Sequence, residues 1–139
     1  MANDLDLITV GRISVDLFAE QINTSFSQPQ TFHKSIGGSP TNVAVAAAKL
    51  GHSSAIVTKV GVDPLGEYVV NKLKSFGVNT DFVKVAESGL TPVVLASQDP
   101  PEDPKIIFHR QPSANDTLLI VSDIDDQTLK SAKNYWIST

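Results

Sequence analysis

Cysteine is absent from these 139 residues. That removes disulfides, thiolate catalysis and cysteine-based zinc sites. Histidine is scarce: His33, His52 and His109 are the only three, too scattered for a histidine-rich metal site. A strong charge of either sign is missing as well. The formal net charge is -4, so nucleic-acid binding has no electrostatic support. No apolar run approaches the ~18 residues that a membrane span needs. The opening Met1-Ala2-Asn3-Asp4-Leu5-Asp6 lacks the positive segment of a secretory signal. These absences predict a cytoplasmic protein with no nucleic-acid and no membrane partner. A Gly-x-x-x-x-Gly-Lys-Ser/Thr phosphate loop is also lacking.

What is present is a soluble, globular composition, 41% hydrophobic and 19% charged. A chain of this length suits one domain that buries roughly two-thirds of its unfolded surface.

Short β-rich runs punctuated by glycine alternate with helical stretches. Leu5 to Val10 reads as a buried strand ending at Gly11, and Val15 to Ala19 as a second. Residues 20–30 are a polar loop, and Thr31 to Ile36 alternates as an edge strand does. Ser39 is a good helix cap with Pro40 at the first helical position, and Gly51 stands where the helix should end. Ser54 to Val60 is a strand. Asp63 caps the next helix, which runs to about Phe76 and stops at Gly77. Strands alternating with helices argue for an α/β fold with a parallel sheet.

Beyond residue 80 the texture changes. Asp81 to Val85 reads as a strand, and 91–110 as a hairpin about the Pro-rich turn 98–104. A helix is predicted from Asp123 to about Lys133, then a strand from Asn134 to Thr139. A domain rarely stops in a buried strand, so the expectation is a partial domain.

The informative stretch is Gly37-Gly38-Ser39-Pro40-Thr41-Asn42-Val43-Ala44, followed by six residues to Gly51 and nine more to Gly61. Two glycines let a ligand approach the backbone. The helix behind them presents free N–H groups and a partial positive charge. Asn42, in the first turn, offers a hydroxyl both a donor and an acceptor. The bland alternative is a Gly-Gly loop with no ligand.

This spacing matches, at every defined position, the first signature of the PfkB, or ribokinase-like, carbohydrate kinases. The resemblance covers essentially the whole chain. It implies an α/β ribokinase-like fold, a parallel sheet flanked by helices with a small β-sheet lid, of which this chain would be the N-terminal half. The lid pieces would be about 15–19, 31–36, 91–97 and 105–110.

Gly11-Arg12-Ile13-Ser14-Val15-Asp16 agrees with it, because the family carries here an aspartate that binds sugar hydroxyls, and Asp16 matches. A carboxylate accepts two hydroxyl hydrogen bonds, which suits a polyol; the alternative is a solvated turn residue. Arg12 either pairs with Asp16 or is exposed. Gly61-Val62-Asp63-Pro64-Leu65-Gly66 is similar to a family turn, and Asp63 is read as a cap. Phe108-His109-Arg110 resembles the hairpin of family members acting on sugar acids or keto sugars, which implies that Arg110 meets the substrate; otherwise it is a surface arginine. Thr91 is a further substrate-side candidate, and His109 is read as non-catalytic. Asp123, Asp125 and Asp126 read as a helix start rather than a metal cluster.

The family's Gly-Ala-Gly-Asp segment, which supplies the general base, has no counterpart here. The resemblance therefore implies a substrate-binding portion, inactive alone, with no catalytic residue of its own. In the whole protein ATP and Mg2+, with K+ as a further candidate, would serve phosphoryl transfer to a primary hydroxyl of a sugar or sugar acid; none is expected on this chain. Leu5 to Gln21 looks like the opening of the 5-dehydro-2-deoxygluconokinases of inositol catabolism. Kinases of 2-keto-3-deoxygluconate, fructose or ribose are the alternatives. Two other classes remain open: a non-catalytic sugar-binding or regulatory module, paired as a homodimer through the small sheet, and a fragment without a ligand.

Overall fold

The structure is a computed structural model in which residues 5–110 and 114–138 are described. The sequence readings of residues 1–4 and of Thr139 lie outside them. The elements in chain order are β1 (Leu5–Gly11), β2 (Ser14–Ile22), β3 (Phe32–Gly37), α1 (Ser39–Lys49), β4 (Ser54–Gly61), α2 (Pro64–Ser75), β5 (Val83–Ala86), β6 (Val93–Gln98), β7 (Ile106–His109), α3 (Asp126–Lys130) and β8 (Ala132–Ser138), with 3-10 turns at Asn115–Leu118 and Val121–Asp123.

Two sheets result. The first has the order β5-β4-β1-β8, and every pair in it is parallel. Its central strand β4 is buried almost from end to end, as a parallel strand covered on both faces must be. Ile56 and Val60 point to one face, where Val69 and Leu73 of α2 and Ala44 of α1 cover them. Ala55 and Val57 point to the other, with Ile8, Val10 and Ala132. The fold is therefore α/β with a parallel sheet and flanking helices.

The second sheet, ordered β3-β2-β6-β7, is built from the four stretches grouped as the small sheet in the sequence. β2 and β3 pair antiparallel, β2 and β6 parallel, and β6 and β7 antiparallel as a hairpin. β3 lies at its edge. Ile13, Val15 and Ile36 tie this sheet into the same core as α1 and α2.

Two local expectations need correction. The cap of α1 is Gly38, not Ser39, and Pro40 is the second helical residue. Gly38 has φ 108°, and a Cβ there would run into the Arg12 carbonyl, so glycine takes the entry position and Ser39 becomes helical. The helix expected over 123–133 shrinks to Asp126–Lys130. Asp123 is drawn into the preceding 3-10 turn by accepting the Ile120 N–H at 2.8 Å. At the far end, Ala132 already pairs with Leu5 in the sheet.

Candidate functional site

β1 ends at Gly11, and the chain turns through Arg12 and Ile13 into β2, directly beside the β3–α1 junction. The Arg12 carbonyl accepts the Thr41 hydroxyl at 3.1 Å and packs on Gly38. This bond fixes the β1–β2 turn against the first turn of α1. Asn42 donates its backbone N–H to the Gly38 carbonyl at 2.9 Å, the first bond of the helix. The N–H groups of Ser39 and Thr41 precede it and have no acceptor within α1.

Asp16 sits in the middle of β2, paired with Ser35 on β3 and Val94 on β6. Its Oδ1 accepts the Ser14 hydroxyl at 2.6 Å. Its carboxylate occupies the space a side chain at Gly37 would fill. The second carboxylate oxygen has no protein donor among the described residues. Burial pushes the Asp16 carboxyl above the usual aspartate range, against the opposing pull of the Ser14 hydrogen bond and the Arg12 charge. Asn42 is exposed, and its side chain makes no hydrogen bond among the described residues. Asp16, Gly37, Gly38 and Asn42 meet at the β2–β3–α1 junction, but both glycines are buried, Gly37 beneath the Asp16 carboxylate and Gly38 beneath the Arg12 carbonyl, so the exposed groups are the free Asp16 oxygen and the Asn42 amide. Each of these two groups can meet a hydroxyl.

The other two candidates have protein partners. Thr91 is buried, with 3% exposure, and its hydroxyl accepts the Gly61 N–H at 3.0 Å. Its own N–H donates to Asp63 Oδ2 at 2.8 Å. Asp63 caps α2 as expected, accepting the N–H groups of Leu65 and Gly66 at 2.9 and 2.8 Å. Burial raises its carboxyl, but the bonds from Thr91, Gly66 and Leu65 outweigh this and hold it below the usual range. The Arg110 side chain faces Asp116: Nε and Nη2 reach Asp116 Oδ2 at 2.8 and 2.7 Å. The Asp116 side chain is fully buried, and its Oδ1 has no partner among the described residues.

The three aspartates near residue 125 do not converge. Asp123 pairs with Lys59 at 2.7 Å, and Asp125 caps α3 by accepting the Thr128 N–H at 2.7 Å. No group of three or more His, Asp or Glu side chains suited to a metal is found among the described residues. An open apolar cavity of about 490 Å³ lies apart, lined by Val62, Pro64, Val70 and Val85, and touches none of Asp16, Gly37 or Asn42.

Sequence reasoning missed several contributors. Ser14 was legible, since residues two apart on a strand share a face. The Thr41 bond to Arg12, the Arg110–Asp116 pair and buried Asn115 were not, because each joins segments through tertiary packing. With its amide oriented by its neighbours, Asn115 accepts from the Gly61 N–H at 2.9 Å and donates to the Ser88 carbonyl. Arg12, left undecided in the sequence, lies with its guanidinium 5.3 Å from the centroid of the Phe108 ring.

Among protein families, the model described as "pfkB family carbohydrate kinase" matches residues 4–139. A 5-dehydro-2-deoxygluconokinase from Clostridium beijerinckii is 36% identical over 141 residues, covering 99% of this chain and 40% of that protein. The chain thus spans about two-fifths of the length of the curated relatives it matches. Among solved structures, a PfkB protein from Polaromonas superimposes with a TM-score of 0.87 at 27% identity, over 94% of this chain and 44% of the other. A fructokinase from Xylella fastidiosa with bound ATP gives a TM-score of 0.82 at 26% identity, over 96% and 42%. No helix among the described residues is long and apolar enough to cross a membrane.

Proposed function

This chain belongs to the pfkB family of carbohydrate kinases, and from that premise we propose that it holds the acceptor sugar for an ATP-dependent phosphoryl transfer carried out by the whole protein. The acceptor is a sugar or sugar acid, phosphorylated on a primary hydroxyl. A 5-dehydro-2-deoxygluconate-like acid is the preferred candidate, in keeping with the relative from Clostridium beijerinckii. The observation that carries the reading is the half-buried Asp16 carboxylate, seated on side-chain-free Gly37 with one oxygen unclaimed.

The chemistry follows from that geometry. Asp16 accepts hydrogen bonds from sugar hydroxyls through its free oxygen, and Gly37 leaves room for that carboxylate because it has no side chain. Asn42 contributes a donor and an acceptor from the first turn of α1. These groups position the acceptor, and positioning is a large part of what phosphoryl transfer requires. Thr91 and Arg110 have structural partners instead, Thr91 holding the β4–α2 turn and Arg110 the segment after β7. ATP with Mg2+ supplies the transferred group in the whole protein.

The test is steady-state phosphorylation by the whole protein over a panel of sugars and sugar acids. Asp16→Asn should raise KM for the acceptor at least tenfold and leave KM for ATP within twofold. Unchanged acceptor kinetics in that variant would refute the reading.

A further inference from the structure

We infer that Arg12 is the residue that reads the anionic end of the acceptor, so that the site discriminates a sugar acid from a neutral sugar of similar size. This inference rests on the acceptor-binding reading above and deepens it.

The placement comes from the register of the second sheet. Asp16 on β2 pairs with Val94 on β6, and Val94 pairs with Phe108 on β7. Directly paired residues share a face, so Asp16 and Phe108 project to the same side. They stand two strands apart, roughly 10 Å at the usual strand spacing. The Arg12 guanidinium lies over the Phe108 ring at 5.3 Å from its centroid. It is also close enough for its charge to act on Asp16. One face of the sheet thus carries a hydroxyl acceptor at one end and a cation at the other.

The cation is free to bind. Arg12 has no carboxylate within 4 Å among the described residues, and its side chain donates no hydrogen bond there. Arg110, by contrast, has Nε and Nη2 on buried Asp116. Arg12 is also held in place: its carbonyl accepts from Thr41, and its guanidinium lies over the Phe108 ring. Contact with a ring uses none of the guanidinium's N–H groups, and a carboxylate fits their fork through two parallel bonds. A ligand with hydroxyls at one end and a carboxylate at the other therefore matches the spacing of Asp16 and Arg12.

The experiment is calorimetric titration of this chain with two ligands of matched carbon skeleton, 2-keto-3-deoxygluconate and the neutral sugar fructose. Arg12→Gln and Arg12→Lys are titrated alongside, with circular dichroism confirming that each variant is folded. The expected result is tighter binding of the acid by the parent chain. Arg12→Gln should weaken acid binding at least tenfold while fructose binding stays within twofold. Arg12→Lys should recover part of the acid preference, because it keeps the charge and loses the fork. Acid binding that is untouched by Arg12→Gln, or a parent chain with no preference for the acid, overturns the inference while leaving the acceptor-binding reading intact. A folded parent chain that binds neither ligand overturns both.

Discussion

The Asp16 carboxylate and the Gly37 backbone occupy adjoining space so closely that a Cβ on Gly37 would overlap the carboxylate. The site therefore depends on an absent side chain as much as on a present one. Gly37 has no left-handed backbone requirement, in contrast to Gly38 at φ 108°. Glycine is needed at 37 for room and at 38 for conformation as well.

Gly37→Ala should expel the Asp16 carboxylate from its seat and weaken sugar binding at least tenfold. Overpacking of this kind costs about 1–3 kcal/mol of stability. Urea unfolding and calorimetric titration on the same sample separate the two effects. Binding that survives in a folded Gly37→Ala chain would show that the seat is irrelevant to the ligand.

Asp16 titrates above the ordinary aspartate range because it is partly buried. Protonation removes an acceptor, so sugar affinity should fall on acidification at a pH higher than an unperturbed aspartate would give. Asp16→Asn should flatten that dependence. The linked effect on stability has the opposite sense. A raised folded-state value favours the folded form at low pH, and this contribution is lost as pH rises through that value. Asp16→Asn should therefore be neutral or stabilising near neutral pH, measured by thermal unfolding across pH.

Asp63→Ala should destabilise the fold by about 1–2 kcal/mol, the loss of a good helix cap. Its carboxyl lies below the usual range, so its stabilising contribution is present above the unfolded-state value and disappears as pH falls through the folded one. Urea midpoints at neutral and acid pH should differ less in the variant than in the parent chain.

Arg110→Met should cost about 3–5 kcal/mol, because it leaves the Asp116 carboxylate buried without its partner. The paired change Arg110→Met with Asp116→Leu should recover most of that loss. A double-mutant cycle in urea reads the coupling directly. A small effect of Arg110→Met on stability, with a large one on ligand binding, would return Arg110 to direct contact with substrate.

Much of this was legible in the chain because the punctuation is strong. Gly51 and Gly77 both adopt the left-handed conformation expected just past a helix end. Asp63 caps α2 where Asp-Pro announced it. The Gly37–Asn42 stretch and Asp16 were marked by residue type and spacing, and β2, β3 and α1 bring them to one junction. What stayed hidden depends on contacts between distant segments. Neither the register row from Asp16 to Phe108 nor the contact of Arg12 with Phe108 can be read from local pattern, because both follow from β6 lying between β2 and β7. Asp116 drew no notice in the sequence, yet burial makes it the fixed partner of Arg110. The short α3 was overread because acidic residues favour both a 3-10 turn and a helix start.

The most direct measurement is calorimetric titration of the purified chain with 5-dehydro-2-deoxygluconate, 2-keto-3-deoxygluconate, fructose, ribose and ATP, repeated with Asp16→Ala and Asn42→Ala. Saturable binding of a sugar or sugar acid, abolished by either substitution and unaccompanied by ATP binding, is the expected result. A well-folded chain that binds none of the sugars, or binds them equally well without Asp16, would contradict the assignment of this surface to the acceptor.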